Sequence, residues 1–406
     1  MAKQALVIPE PVMQFCDSAG VPLAGGLVYT YAAGTSTPLS SYTDSALLVP
    51  NSNPVVLDTS GRAKIYLDAL NYKIDVQSSL GVSQSGYPAD NIAGSMWSGA
   101  VKYNWPATDG ASGQLLQTDG ATNLSWGGSR YVVNGRLTLT SGTPITVSDV
   151  TAATTIFFTP YLGDLLSVYT GTSWNTRVFT ELSIGIPAVA NQMYDVFVFD
   201  NAGVWTLEVL AWTNDTTRAT ALVVQNGMLV KSGATTRLFL GCCRTTTVAG
   251  QTEDSATKRY VWNYFNRDRR PLLRRETTAS WSYTTATWRQ ANGAAANQVD
   301  VIVGYQEATL DLLVVVSPAN ATAGTVVGVG IGEDSTTTPH ASLIGAIAVA
   351  SSNGNPGQIT AWLKIKPAVG RHFYAWLEYS TAVGTSSWFG TNILSNISGL
   401  FGAIEG

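Results

Sequence analysis

Alternating apolar and polar residues, in short stretches separated by turn residues, run along most of this chain. Residues 27–31, LVYTY, lie between turn segments at 22–26 and 34–38, and residues 72–76 alternate in the same way. A period of two is the pattern of a β-strand with one buried face, and clusters of Gly, Pro and Thr bound such strands. The first quarter of the chain therefore predicts a compact β-module.

A β-hairpin is expected later in this module. Residues 55–62, VVLDTSGR, have the pattern of a strand that enters a glycine-containing turn, and Ile65 and Leu67 beyond it share one face. Lys64 and Tyr66 share the opposite face. The hairpin should therefore have one buried and one exposed side.

The strand pattern continues through the middle of the chain. Apolar residues alternate at 194–198, a turn follows at 200–203, and a return strand follows at 204–212. A short helix is expected near 217–223. Together these features predict an antiparallel β-sandwich or jelly-roll-like domain over residues 129–270.

A second β-sandwich with a C-terminal tail is predicted over residues 271–406. Strand patterns occur at 310–317 and 359–365, and a turn at 367–370 should fold the latter strand back onto residues 372–379. Residues 372–379 carry bulky apolar groups on both faces, so both faces should be covered. The fold class is thus all-β, with three β-regions and a Gly/Ser/Thr/Asn-rich linker.

The predicted domain bounds are as follows: a small N-terminal β-module over residues 1–97, a linker over 98–128, a β-sandwich over 129–270 and a distal β-sandwich over 271–406.

Composition favours an oligomer. Charged residues make up 12% of the 406 residues, whereas soluble globular proteins carry about 25%. Hydrophobic residues make up 45%, so much apolar surface is expected to lie between identical chains. The net charge of −4 argues against nucleic acid as the main partner.

Cysteine content and hydropathy exclude two further classes. Three cysteines are too few for a disulfide framework, and Cys242 and Cys243 are adjacent and therefore too close for an ordinary bridge. No apolar run reaches the ~18 residues that a membrane span needs, so no membrane insertion is expected.

Several motifs of the N-terminal module occur in a fixed order. They are FCDSAGVPLAGGLVYTYAAGTSTP at 15–38, YTD at 42–44, NSNPVVLDTSGRA at 51–63 and DNI at 90–92. This series resembles the N-terminal virion-binding domain of bacteriophage tail fibres and tailspikes. GASGQLLQTDG at 110–120 resembles a short segment common in phage fibres. Residues 129–270, with LTLTSGTP at 137–144 and FTPY at 158–161, resemble a β-domain that recurs in phage structural proteins.

The resemblance implies an elongated homotrimeric virion protein that is made in the cytoplasm of a host bacterium. As a tail fibre it would anchor to phage portal, adaptor or tail proteins by its N-terminus. Its distal part would attach to the host surface, whether polysaccharide or protein. The virion-docking residues that the resemblance implies are Phe15, Asp17, Gly25, Gly26, Tyr29, Tyr31, Asn53, Pro54, Asp58, Gly61 and Arg62.

Two alternatives stay open for the function. A head fibre or capsid decoration protein would carry the same kind of anchor but attach to the capsid. A polysaccharide depolymerase tailspike is less favoured, because many such tailspikes use a long parallel β-helix and this chain has no such repeat.

Catalytic and metal-binding patterns are weak, so the chain is not predicted to be an enzyme or to bind a cofactor or a metal. His340 and His372 are the two histidines, and neither has an obvious partner in sequence. Glu333 and Asp334 could supply a glycosidase carboxylate or a calcium ligand, but a solvated acidic turn explains them as well.

One basic run, KRYVWNYFNRDRRPLLRR at 258–275, interleaves cations with aromatic residues. Such a run can bind single-stranded nucleic acid or the phosphates of lipopolysaccharide. Contacts between domains or subunits explain it better, with Arg267, Arg269 and Arg270 paired to acids of a neighbouring domain or chain.

Four distal aromatic residues are candidates for receptor contact, because flat rings stack well on sugars. They are Trp362, Trp376, Trp388 and Phe389. The alternative is that these rings pack in the core of a trimer.

Overall fold

The computed structural model describes residues 12–94, 104–110, 115–118, 123–127, 131–322, 324–345, 347–349, 357–390 and 398–406. The predicted all-β class is confirmed, since the only helical element within these residues is a 3-10 turn at Ala291–Gly293. No helix in the described residues is long and apolar enough to cross a membrane. The chain forms two compact units: Met1–Ala107 with Gln117–Ser125, and Thr108–Leu116 with Trp126–Gly406.

The N-terminal module is built from short strands around one small core. The strands are β1 Met13–Gln14, β2 Leu27–Ala32, β3 Ser41–Tyr42, β4 Val55–Val56, β5 Arg62–Ala63, β6 Tyr66–Leu67, β7 Asn71–Gln77 and β8 Ala89–Ala93. They form a four-stranded sheet in the order β4-β2-β7-β8 and two small pairs, β1-β5 and β3-β6. Val28, Tyr72 and Val76 from the central strands are buried in the core, as the alternation predicts.

The hairpin expected around Gly61 is not formed. Strand β4 pairs with β2, β5 with β1, and β6 with β3, so the neighbouring segments pair with distant strands instead of with each other. The predicted faces are nevertheless right, because Ile65 and Leu67 are buried and Lys64 is exposed. Two further short strands, β9 Leu115–Thr118 and β10 Leu124–Gly127, lie in the predicted linker, much of which is outside the described residues.

Residues 131–264 of the larger unit, all of them described, form fourteen strands. They are β11 Gly135–Thr138, β12 Val150–Ala153, β13 Thr155–Pro160, β14 Leu165–Tyr169, β15 Trp174–Val178, β16 Leu182–Gly185, β17 Met193–Asn201, β18 Val204–Ala211, β19 Leu222–Gln225, β20 Met228–Lys231, β21 Ala234–Arg244, β22 Thr252–Asp254, β23 Lys258–Arg259 and β24 Val261–Asn263. A six-stranded sheet, β18-β17-β21-β20-β19 with β24 beside β21, is its largest sheet with strands from this part alone. Both faces of β17 are covered, since Tyr194 and Val196 lie in one core and Met193 and Phe197 in another.

The described residues in the rest of the larger unit form eleven strands. They are β25 Arg269–Arg275, β26 Ser280–Tyr283, β27 Trp288–Gln290, β28 Gln298–Val303, β29 Leu310–Asn320, β30 Val326–Glu333, β31 Ile347–Val349, β32 Ile359–Ile365, β33 Gly370–Ser380, β34 Ser386–Phe389 and β35 Gly399–Glu405. One sheet has the order β12-β22-β23-β28-β33-β30-β31 with β27 beside β33, and another has the order β25-β35-β29-β34-β26 with β32 beside β29. Val301, Ile331 and Trp376 of the first sheet share a core with Leu312 and Leu400 of the second, which is the arrangement of a β-sandwich.

Two expectations about this unit need correction. The segment 217–223 is not helical, because residues 222–225 form β19 and pair with β20 across an Asn226-Gly227 turn with positive φ at both residues. Strand β32 also does not fold back onto β33, since it pairs with β29 and the connection leads from one sheet to the other.

The boundary predicted at residue 270 does not separate two bodies. An eight-stranded sheet takes β12, β22 and β23 from one side of that position and its other strands from the far side, joined by a parallel pairing of Lys258–Arg259 with Gln298–Val303. Ile302 also packs into the core that contains Trp262. Residues 126–406 therefore form one compact unit.

Candidate functional site

Two aspartates of the N-terminal motif form turns. Asp17 Oδ1 accepts hydrogen bonds from the backbone N–H groups of Ala19 and Val21, each at 2.9 Å. Asp58 Oδ1 accepts bonds from Ser60 and Arg62 at 2.8 and 2.9 Å. The bond from the Arg62 amide leads the causes that hold the pKa of Asp58 below its ordinary value. These carboxylates are satisfied by the module itself, which explains why the motif needs aspartate at both turns.

Asn53 joins the loop before β4 to strand β2. Its Nδ2 donates to the Thr30 carbonyl at 2.6 Å, and its Oδ1 accepts the Thr30 N–H at 3.1 Å. The side chain thus makes the two hydrogen bonds that a neighbouring strand would make. The peptide bond from Asn53 to Pro54 is cis. Asn53 is therefore a residue that shapes the module.

Gly61 and Gly26 lie where a side chain has no room. Gly61 has φ +70°, and a Cβ there would lie 2.6 Å from the Phe15 carbonyl oxygen. A Cβ on Gly26 would lie 3.0 Å from two carbonyl oxygens. Gly25 has φ +64°, which favours glycine through backbone conformation. Phe15 itself packs against the module core.

Tyr29 and Tyr31 are the motif residues on the outward face of β2. Their rings are stacked, with centroids 6.1 Å apart and planes 2° apart. Lys73 Nζ lies 5.6 Å from the centroid of Tyr31. Val56, on the neighbouring strand, is 61% exposed. We call these four side chains, Tyr29, Tyr31, Lys73 and Val56, the outward tyrosine face, a surface that another protein could contact. Arg62 lies on β5, which pairs with β1 in a different sheet.

Two of the four distal aromatic candidates are not at the surface. Trp376 and Trp388 are completely buried in the core of the sandwich, so neither can contact a receptor. The prediction is corrected for these two residues, because their own chain covers both rings. Phe389 is partly buried, and only Trp362 is substantially exposed, at 39%.

Trp362 belongs to an apolar row that the sequence did not reveal. Leu273 pairs with Phe401, Phe401 with Leu313, Leu313 with Trp362, and Trp362 with Ile344, across neighbouring strands. Four of these side chains are between 37% and 62% exposed, and Leu313 is half-buried. Trp362 Nε1 donates to Asp311 Oδ1 at 2.6 Å, which fixes its ring. We call this set the apolar row.

The two histidines do have partners, contrary to expectation. His340 Nε2 lies 3.1 Å from Glu333 Oε2, and His372 Nδ1 lies 2.7 Å from Asp334 Oδ2. All four side chains line an open pocket of about 530 Å³ together with Lys366. No group of three or more His, Cys, Asp or Glu in the described ranges is placed to hold a metal ion. We call these four residues the histidine cluster.

The basic run takes part in ion pairs within the chain. The pairs are Lys258–Glu253 at 3.0 Å, Arg259–Asp254 at 3.0 Å, Arg267–Glu307 at 3.2 Å, Arg269–Asp311 at 3.9 Å and Arg270–Asp254 at 2.6 Å. Arg267 and Arg269 thus pair with acids beyond residue 270, as expected, whereas Arg270 pairs with an acid on its own side. Five of the seven cations of the run are thus paired with acids of the same chain, whereas Arg275 at its end is exposed.

Comparisons with known proteins give no family. No family model and no curated protein matches the chain. Among solved structures, infectious bursal disease virus, Gx strain, is 12% identical over 63% of this chain and 69% of that chain, with a TM-score of 0.21. A tryptic core variant of Cry1Da from Bacillus thuringiensis is 9% identical over 68% of this chain and 52% of that chain, with a TM-score of 0.18. A family 43 arabinoxylan arabinofuranohydrolase from Bacillus subtilis, in complex with cellotetraose, is 12% identical over 82% and 74%, with a TM-score of 0.18. These TM-scores are too low to support any argument about this chain.

Proposed function

We propose that this chain is a structural protein of a bacteriophage virion, a homotrimeric tail fibre that anchors by its N-terminal module and takes part in attachment to the host surface. The observation that carries the proposal is the arrangement of the N-terminal motif. Its aspartates, asparagine and glycines form the turns and the interstrand bridge of one small β-module with its own core. A motif of this kind specifies a particular module, and the sequence of the motif resembles that of the virion-binding domain of phage tail fibres.

The outward tyrosine face is the proposed contact with portal, adaptor or tail proteins. Stacked tyrosine rings beside a lysine combine apolar area with charge, and tyrosine is among the residues that dominate binding energy at interfaces. A double substitution, Tyr29→Ser with Tyr31→Ser, removes the rings and leaves the turn residues in place.

Incorporation into particles tests this proposal. Phage particles assembled with the double variant should carry much less of the chain than wild-type particles, as measured by quantitative immunoblot. Leu80→Ser is a matched control, because Leu80 is 89% exposed in the same module but is not part of the motif. Equal incorporation of all three chains would contradict docking through this face. A particle reconstruction then identifies the protein that meets residues 1–97 and separates tail from capsid attachment.

The apolar row is the proposed host-facing surface of the distal region. It contains Trp362, the candidate that stays exposed, and a flat row of this kind suits stacking on sugars or packing against another protein. Trp362→Ala should reduce binding of the purified chain to host cells. Tyr305→Ala is the control, because Tyr305 has a similar exposure of 41% and lies outside the row.

Two other outcomes would redirect this proposal. A loss of the trimer in Trp362→Ala, measured by sedimentation, would assign the row to contacts between copies. Release of reducing ends from host polysaccharide by the purified chain would favour the depolymerase alternative over a binding protein.

A further inference from the structure

The histidine cluster brings together residues that are distant in sequence. Glu333 ends strand β30 and Asp334 follows it, His340 lies in the same loop, and His372 lies near the start of β33. The chain has only these two histidines, and both contact these consecutive carboxylates. Glu333 Oε1 also lies 3.8 Å from His372 Nδ1 and accepts the Tyr374 hydroxyl at 2.7 Å. The four groups therefore interact as one set.

Hydrogen bonds assign the ring protons of the two histidines differently. His340 Nδ1 accepts the backbone N–H of Ser342 at 3.0 Å, so a neutral ring carries its proton on Nε2 and donates to Glu333. His372 Nδ1 faces the carboxylate of Asp334, so this ring carries its proton on Nδ1. His372 Nε2 is buried and makes no hydrogen bond within the described residues. The nearby Ala368 carbonyl nevertheless helps to raise the pKa of the ring.

The surroundings of His372 favour its charged form. Its side chain is 9% exposed, and burial by itself lowers its pKa. The hydrogen bond to Asp334 and the charges of Asp334 and Glu333 more than offset burial, so the pKa is raised above the ordinary 6.5. For Asp334, burial acts to raise the pKa, but the hydrogen bonds from His372 and the Phe373 N–H, together with the charges of His372 and Arg371, outweigh burial and lower the pKa.

The other charged groups around the cluster leave the pKa of His372 raised and the pKa of Asp334 lowered. Arg371, the neighbour of His372 in β33, is bonded to Asp300, and its positive charge helps to lower the pKa of Asp334. Lys366 lines the pocket and is exposed. Burial raises the pKa of Tyr374, so its hydroxyl stays a donor to Glu333 throughout the neutral range.

The cluster fixes the loop that follows β30. Asp334 has φ +49°, a left-handed corner, and its N–H donates to the Phe373 carbonyl at 2.9 Å while its Oδ1 accepts the Phe373 N–H at 3.0 Å. The His340 N–H donates to the Ile331 carbonyl at 2.8 Å. The loop 334–343 is therefore attached to the start of β33 through Asp334 and to its own strand through His340.

We propose that the histidine cluster is a proton-dependent clamp, in which a protonated His372 ring holds loop 334–343 against β33 and a neutral ring releases part of that attachment. The direction of the pH dependence follows from the contributions of His372 and Asp334 to stability. The contribution of His372 to stability is fully present below its unfolded pKa and is lost as pH rises through its folded pKa. The contribution of Asp334 is present above its unfolded pKa and is lost as pH falls through its folded pKa. The clamp is thus strongest in mildly acidic solution, and the pocket it lines is better ordered there.

Two measurements on the full chain test the clamp. With ¹³C and ¹⁵N labels on histidine, two ring signals are expected, because the chain has two histidines. The neutral rings should show opposite tautomers, and His372 should titrate above 6.5. Hydrogen exchange of loop 334–343, corrected for intrinsic rates, should be several-fold faster at pH 8 than at pH 6 relative to the turn 200–203.

Asp334→Asn is the decisive variant, because it keeps the side-chain shape and the acceptor for the Phe373 N–H while it removes the charge. The titration midpoint of His372 should fall in this variant, and the exchange of the loop should lose most of its pH dependence. A His372 midpoint that does not move, or loop exchange that is equal at both pH values in the wild-type chain, would overturn the proposal.

Discussion

Trp376 provides a sharp test of the core of the sandwich. Its side chain is completely buried, it lies opposite Ile331 in the neighbouring strand, and its ring meets that of Trp281 edge-on at 6.1 Å. Replacing a buried tryptophan by alanine costs about 3–5 kcal/mol, of which an edge-on aromatic contact accounts for about 0.5–1.5 kcal/mol. No hydrogen bond is lost, because Nε1 has no partner within the described residues. We therefore expect Trp376→Ala to lower the free energy of unfolding of the larger unit by about 3–5 kcal/mol.

Urea unfolding followed by circular dichroism measures this loss. With a slope of about 2–3 kcal/mol per molar urea, the midpoint should fall by about 1–2.5 M. Trp362→Ala is the matched control, since that ring is exposed and should cost about 1 kcal/mol or less. If Trp376→Ala unfolds at the wild-type midpoint and instead reduces host-cell binding, the buried position of this ring is refuted.

Two further predictions concern backbone conformation and pH. Gly61→Ala should destabilise the N-terminal module by more than Gly20→Ala. Both residues have positive φ, but a Cβ at Gly61 alone would lie within 3 Å of backbone atoms. The thermal unfolding midpoints of the two variants measure the difference. Burial raises the pKa of Asp195 to about 6, although Arg218 partly counters it. The folded state then binds a proton that the unfolded state releases, so stability should fall by up to about 3 kcal/mol as pH rises from 3.8 to 6. Asp195→Asn should remove this slope, and an unchanged profile would show that Asp195 does not titrate in this range.

Strand positions could be predicted from the sequence, whereas strand partners could not. The segments around 27–31, 194–201 and 310–317 have the apolar pattern of strands with one or two buried faces, and each forms a strand. The hairpins expected at Gly61 and at 367–370 were wrong, since a turn signal does not show whether the next strand joins the same sheet. The Asn226-Gly227 pair is a strong hairpin signal that the helix expectation overlooked.

The histidine cluster could not be found from sequence for a related reason. Asp334 and His372 are 38 positions apart and meet because β30 and β33 are neighbours in one sheet. Strand order is set by core packing over the whole unit, and no local pattern around either histidine reports it. The aspartates of the N-terminal turns are the opposite case, because Asp17 and Asp58 bond to residues within four positions and the motif carries that chemistry locally.

The distal tryptophans show what alternation leaves undecided. Residues two positions apart share a strand face, and the neighbours of Trp362 on its face are Thr360 and Lys364, both exposed, so this ring points outward. Trp376 has Tyr374 and Glu378 in the same relation, so its face carries polar groups as well.

Both of those neighbours are nevertheless buried, because their polar atoms find partners far away in sequence. The Tyr374 hydroxyl donates to Glu333 at 2.7 Å, and Glu378, which is fully buried, accepts from Trp281 at 2.6 Å and Arg289 at 2.7 Å. A buried polar group is tolerated when its hydrogen bonds are made. Polar neighbours therefore predict an exposed aromatic ring only where no distant side chain can satisfy them, and that condition separates Trp362 from Trp376.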